Sequence, residues 1–188
     1  MANGAEQRLY WGAGLSVLVL DVLTKYLAEK HLLRSAGLSL IGDLFQLRLV
    51  YNPGAAFGLD LGPLSRWIFM AIAMAAVVLL FRYHRSAMAG DWFRQLALGL
   101  VTGGAIGNLV DRIRSGQGVV DFLDLGVGVW RWPTFNIADM AVSCGAIALA
   151  ISLWQEDARR DAADSTGRGL PPQSTPPEPV RETVSGEK

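Results

Sequence analysis

A carboxylate set among apolar side chains is costly to ionise, so it is either neutralised by a partner or used for chemistry. Asp139 is the clearest case, because nothing basic lies within a helical turn of it in the run Phe135-Asn-Ile-Ala-Asp-Met-Ala-Val. Asn136, three residues earlier, shares its helix face and can hydrogen-bond a carboxylate or a substrate amide. Asp121 is flanked by Val119, Val120 and Phe122, a setting that places it at a boundary and not in open water. Asp124 is a rival for any proton-transfer role, and spacing alone does not choose between the two. Asp21 and Lys25 are spaced i, i+4 with the acid first, the favourable order for a helix ion pair, so they read equally well as structural support. Asn108, Asp111 and Arg112 form another polar group, which could also be an interface charge with its partner.

These residues lie in a chain built for lipid. Of its 188 residues 51% are hydrophobic and 18% charged, where a soluble domain carries about 25% charged. The mean hydropathy is positive (+0.29). A spanning helix needs roughly 20 apolar residues, and four stretches qualify: Leu9–Ala28, Trp67–Tyr83, Trp92–Arg112 and Trp132–Trp154. All six tryptophans fall near a proposed span end, as an aromatic belt requires. The first stretch lacks a small-x-small cleavage site and reads as an uncleaved span. Zero net charge gives no basic field for nucleic acid. One cysteine and two histidines argue against a disulfide framework and a zinc cage. The expected fold is therefore a membrane protein with an all-α core of four transmembrane helices, over residues 1–156. A disordered, Pro-rich polar tail is expected over 157–188, with five of the eight prolines between Pro171 and Pro179.

With alternating spans, the exit of the first, the exit of the third and the entry of the fourth meet at one membrane face. Asp21, Lys25, Asn108, Asp111, Arg112, Asn136 and Asp139 then cluster in space while scattered in sequence. Ionisable groups in such places are functional candidates by default. The first and third loops open on that same face. Phe45-Gln-Leu-Arg-Leu49 alternates with period two, and Val119–Leu125 is apolar and β-branched, so the loops are expected to pair as a small sheet on the membrane surface. Gly99, Gly103 and Gly107 have small-xxx-small spacing and predict close helix packing. Cys144, with no histidine nearby, is expected in the core. Basic residues divide evenly between the two sides, so charge does not set the orientation.

A small transporter or channel subunit would also collect polar residues in a membrane, but it predicts internal symmetry, and none is visible. A serine–lysine peptidase using Lys25 lacks a serine at the same depth. A purely structural subunit would have no need of Asp139.

Five segments in order resemble the lipoprotein signal peptidases (signal peptidase II, aspartic membrane proteases). They are Asp21-Val-Leu-Thr-Lys25, Asn52-Pro-Gly-Ala-Ala-Phe57, Gly104-Ala-Ile-Gly-Asn-Leu-Val-Asp-Arg112, Val119-Val-Asp-Phe122 and Phe135-Asn-Ile-Ala-Asp139. Each is weak alone; the ordered set over residues 10–155 is specific. The resemblance implies that Asp121 and Asp139 are the catalytic pair and demotes Asp124. It implies that Asn52, Gly54, Asn108, Arg112 and Asn136 line or support the site, with Asp21, Lys25 and Asp111 behind them. It further implies cleavage of a diacylglyceryl-modified prolipoprotein just before the lipidated cysteine, in the bacterial inner membrane. Both termini would be cytoplasmic and the site would face outward. The expected partners are that substrate and membrane lipid, with no metal, no cofactor and no second subunit.

Overall fold

The computed structural model describes residues 4–34, 36–54, 62–86 and 90–167. Among the described residues, four helices are long and apolar enough to cross a membrane. They are α1 (Gly4–His31), α2 (Ser65–Ser86), α3 (Trp92–Arg114) and α4 (Ile137–Gly167). Leu15, Leu79 and Ile147 stay exposed on their spans, as side chains facing lipid do. Helix α3 lies at the centre. Gly99 and Gly103 pack on the α1 backbone at Tyr10 and Gly14, and a Cβ on Gly99 would lie 2.6 Å from Tyr10 O. On its other edge, a Cβ on Gly104 would lie 2.5 Å from Ala138 O of α4. The expected glycine stripe is thus a packing device, and it brings Asn108 of α3 against its neighbours.

Polar clips fix both ends of the bundle. At one end Tyr10 donates to Thr102 Oγ1 (3.2 Å) and stacks on His84 of α2 with ring centroids 3.7 Å apart. His84 Nδ1 lies 2.6 Å from Gln95 Oε1 of α3. At the other end Arg66 of α2 donates through Nε to the Arg112 carbonyl (2.8 Å), meeting an acceptor left open where α3 stops.

The expected sheet forms between the same two loops and has four antiparallel strands in the order β1-β2-β3-β4. These are β1 (Leu38–Ile41), β2 (Phe45–Asn52), β3 (Val119–Val127) and β4 (Trp130–Arg131). Asn52 pairs with Val119 and Val50 with Asp121, so the base of the sheet stands over the helix ends. Gly118 enters β3 at φ 103°, where the Cβ of any other residue would strike Asn52. Tyr51 donates to Glu29 of α1 (3.0 Å), and Glu29 also pairs with Arg114 of α3 (2.9 Å).

Two expected boundaries shift. The fourth span begins at Ile137 and not Trp132. Trp132 donates to Leu125 O (2.7 Å), and Phe135 exchanges hydrogen bonds with Leu123 (3.0 and 2.8 Å). Pro133 biases the residue before it towards extended backbone, and the apolar composition concealed this segment bridged to β3. At the far end, the chain from Leu153 forms a separate unit. Helix continues in it to Gly167, beyond the expected boundary at 156. Residues 157–164 are Asp-Ala-Arg-Arg-Asp-Ala-Ala-Asp, in which alanine and arginine favour helix. An Arg160–Glu156 ion pair, one turn apart, adds to it. The rest of the expected tail, 168–188, and Ala55 to Gly58 lie outside the described residues.

The glycine contacts have a direct test. Gly12 has open space at its Cβ position, whereas Gly103 faces the Gly14 backbone. Gly12→Ala should stabilise the protein by about 0.5–1 kcal/mol. Gly103→Ala should destabilise it by about 1–3 kcal/mol through overpacking. Thermal unfolding of both variants in detergent reports the difference, and equal midpoints would contradict the packing described.

Candidate active site

The ammonium of Lys25, buried in α1, has three donors and meets three acceptors. Asp21 Oδ2 lies at 2.7 Å, Asp111 Oδ2 at 3.0 Å and Asn108 Oδ1 at 2.9 Å. Each acceptor reaches a further element. Asp21 Oδ1 accepts from Ala138 N in the first turn of α4 (2.9 Å). Asp111 Oδ2 accepts from Val120 N of β3 (3.1 Å), and its Oδ1 holds Arg114 at 2.8 Å. Because Asn108 Oδ1 faces Lys25, its amide nitrogen is turned outward and donates to Asp139 Oδ1 (2.8 Å).

Asn136 then holds both candidate carboxylates. Its Nδ2 donates to Asp121 Oδ1 (2.7 Å), while its Oδ1 accepts from Asp139 N (2.9 Å). Asp139 Oδ2 returns the contact by accepting from Asn136 N (3.2 Å). That reciprocal pair is a capping box at the start of α4, with an acid where helices usually place Glu or Gln. A helix N-terminus also favours negative charge. Asn136-x-x-Asp139 before an apolar run is a sequence signal for this cap; the pairing across one helix face had been expected, the cap had not.

Asp121 is held from its other side by Asn52 Nδ2 on Oδ2 (3.2 Å). Asn52 is oriented in turn by Gly54 N, which donates to its Oδ1 (3.0 Å). Arg112 donates to Asn108 O (3.1 Å) and Gly54 O (3.2 Å), fastening this turn to α3. Burial and the neighbouring Asp139 carboxylate push Asp121 up to about 7, against the opposing hydrogen bonds from Asn52 and Asn136. Asp121 therefore keeps its proton well above the ordinary carboxyl range.

Asp124 belongs elsewhere. Three residues along a strand, it leaves the opposite face of the sheet from Asp121. Arg131 binds it at 2.8 Å and Arg48 lies 3.6 Å away. Sequence could not separate the two carboxylates because both arginines arrive through strand pairing. All ten candidate residues, from Asp21 to Asp139, meet in or directly behind one site. A cleft of about 550 Å³ opens at the two carboxylates, with Asn52, Asn108 and Arg112 on its polar side and Trp132, Phe135 and Met140 on its apolar side. Cys144 also lines it and is exposed, contrary to the expected core position. The reason is helical phase: Ala141 and Gly145 take the buried face of α4 and Cys144 the cleft face.

The model of a family described as signal peptidase (SPase) II matches residues 14–155. The chain belongs to that family. It is 41% identical over 147 residues to a lipoprotein signal peptidase of Syntrophus aciditrophicus, covering 77% of this chain and 90% of the relative. It is 44% identical over 140 residues to one from Rhodococcus jostii, covering 72% and 67%. A solved bacterial membrane enzyme superposes with a TM-score of 0.71 at 27% identity, over 78% of this chain and 88% of that one. A second does so with 0.67 at 28%, over 75% and 89%.

The three-way contact at Lys25 predicts an asymmetric response. Lys25→Met leaves Asp21 and Asp111 buried without their shared cation and should cost about 3–5 kcal/mol. Adding Asp21→Asn should restore part of that loss. Thermal unfolding of the single and double variants checks it; a double variant less stable than Lys25→Met would contradict the arrangement.

Proposed function

We propose that the chain is an aspartic endopeptidase of the bacterial inner membrane that removes the signal peptide from lipidated prolipoproteins. Membership of the signal peptidase II family makes it a protease and implies the lipoprotein substrate. The aspartic mechanism rests on one observation: Asn136 holds both carboxylates at one cleft, donating to Asp121 Oδ1 through its side-chain amide and to Asp139 Oδ2 through its backbone N–H.

Water between the carboxylates would lose a proton to Asp139 as its oxygen attacks the scissile carbonyl. Asp121, carrying the shared proton, would donate it to the carbonyl oxygen, giving a neutral gem-diol. Collapse would return a diol proton to Asp121 while Asp139 passes its own to the departing nitrogen. The products are a carboxylic acid and an amine, and the pair ends with one proton as it began. No covalent intermediate, cofactor or metal takes part. Asn108 and Asn136 would keep Asp139 in register through the cycle, with Lys25 and Asp21 behind them as support.

The cleft suits a substrate anchored in lipid. Its apolar wall of Phe135, Met140 and Val142 continues along α4, so acyl chains and the signal helix would stay in the membrane beside it. The bond just before the diacylglyceryl cysteine would lie at the carboxylates. This reading places both termini in the cytoplasm and the sheet on the outer side, and a single chain contains every residue it needs.

Asp121→Asn and Asp139→Asn should each reduce signal-peptide release by at least about 10³-fold, and the double variant should be little worse, since members of one catalytic unit are non-additive. Asp124→Asn should retain cleavage, and a chelator should change nothing. The assay is release from a diacylglyceryl prolipoprotein by folded protein in lipid nanodiscs. Substantial cleavage by Asp139→Asn would overturn the assignment.

A further inference from the structure

A groove of about 550 Å³, separate from the cleft, runs along α1. Leu18, Val19, Val22, Leu23 and Tyr26 line its length, and Arg114 of α3 stands at its end. Arg114 follows Arg112 by two residues and so leaves nearly the opposite face of α3 from the cleft. From Leu18 to Tyr26 the helix rises about 12 Å, close to one leaflet of a hydrocarbon core about 30 Å thick. The apolar length ends in charge. Arg114 Nε donates to Asp111 Oδ1 (2.8 Å) and its Nη1 lies 2.9 Å from Glu29 Oε2. Its Nη2 has no partner among the described residues, and the side chain is 41% exposed. Two carboxylates therefore grip the guanidinium by its edges and present the third nitrogen outward. Lys30, exposed 5.9 Å from the centre of the Tyr26 ring, brings a second cation to this rim. Arg66 brings a third, held by the Arg112 and Ile113 carbonyls (2.8 and 3.2 Å).

We propose that this groove binds one anionic phospholipid of the leaflet nearest the sheet, with its phosphate on Arg114 and an acyl chain along Leu18 to Leu23. The occupant must be apolar over the depth of a leaflet and anionic at one end, and a phospholipid is both. A guanidinium held with a free edge matches phosphate oxygens in geometry as well as charge. Charge at the rim selects the headgroup. Pairing Lys25 with Asp21 and Arg114 with Asp111 leaves Glu29 against Lys30 and Arg66, a positive excess that favours an anionic lipid over a zwitterionic one. A neighbouring helix suits the groove less well. Helices meet in lipid through small residues, as α3 meets α1 through Gly99 and Gly103, whereas branched and aromatic side chains line this groove. The site also has a structural consequence. Asp111, which Arg114 holds, accepts from Val120 N of β3 (3.1 Å) and from Lys25 (3.0 Å), so a bound phosphate braces the network behind the carboxylates and stabilises the fold.

The test uses full-length protein in a neutral detergent, titrated with phosphatidylglycerol or phosphatidylethanolamine and followed by native mass spectrometry and thermal unfolding. One phosphatidylglycerol should bind at least about tenfold more tightly than phosphatidylethanolamine and raise the unfolding midpoint. Val22→Trp fills the groove and touches no polar contact; it should abolish that preference while its midpoint without lipid stays near that of the parent. Arg114→Gln should abolish the preference too, and Val78→Trp, on an exposed face of α2, should keep it. Equal binding of the two lipids by the parent would overturn the proposal, as would a Val22→Trp protein that keeps the preference. A midpoint shift by inorganic phosphate equal to that by phosphatidylglycerol would make Arg114 a free-anion site, and a dimer that Val22→Trp dissociates would give the groove to a second copy. Either result also contradicts the lipid site. None of these outcomes touches the Asp121 and Asp139 assignment, which is read by cleavage.

Discussion

A buried ammonium with three donors and three acceptors organises this protein. Lys25 is almost wholly buried, and a lone charge there would be untenable; two carboxylates and an amide make it tolerable. The same three contacts carry structure outward. Asp21 caps α4, Asp111 anchors β3, and Asn108 points its amide at Asp139. One cation thus sets the relation of α1 to the three elements that bear or support the two site carboxylates. Removing it would disturb the fold and the site together, which is why the site residues are spread along the chain yet behave as one unit.

The two loops that form the sheet divide their acids by strand phase. Asp121 leaves the face that meets Asn136 and keeps a proton near neutral pH because burial and Asp139 oppose its ionisation. Asp124 leaves the other face, where two guanidinium groups neutralise it. Similar local sequence thereby yields a carboxyl with a raised pKa and a member of an ion pair. Environment assigns the roles, not residue type.

Much of this was legible in the sequence because lipid is a demanding solvent. A span must be long and apolar, so four helices declared themselves, and alternating passage placed their polar ends together. Period-two alternation at Phe45–Leu49 marked a strand that does pair with Val119–Val127. What stayed hidden depended on distant partners. Lys25 could be matched to Asp21 at i+4 but not to Asp111, which reaches it only because Gly103 and Gly107 let α3 approach α1. Trp132 to Phe135 was absorbed into the fourth span because its aromatic side chains are as apolar as those of a helix end. Cys144 was assigned to the core because helical phase about α4 is not fixed until its neighbours are known.

The central claim is that Asp121 and Asp139 share one proton, carried by Asp121 until its pKa near 7 is passed. The pH dependence of kcat/KM on a lipidated prolipoprotein in nanodiscs addresses it directly, because that ratio reports groups of the free enzyme. A group held protonated well above the ordinary carboxyl range leaves the enzyme competent below that point and disables it as the proton departs. The account predicts a fall through about pH 7 of about tenfold per unit, the slope of a single proton. A rate that stays flat to pH 9, or rises through neutrality as a lysine base would require, contradicts it.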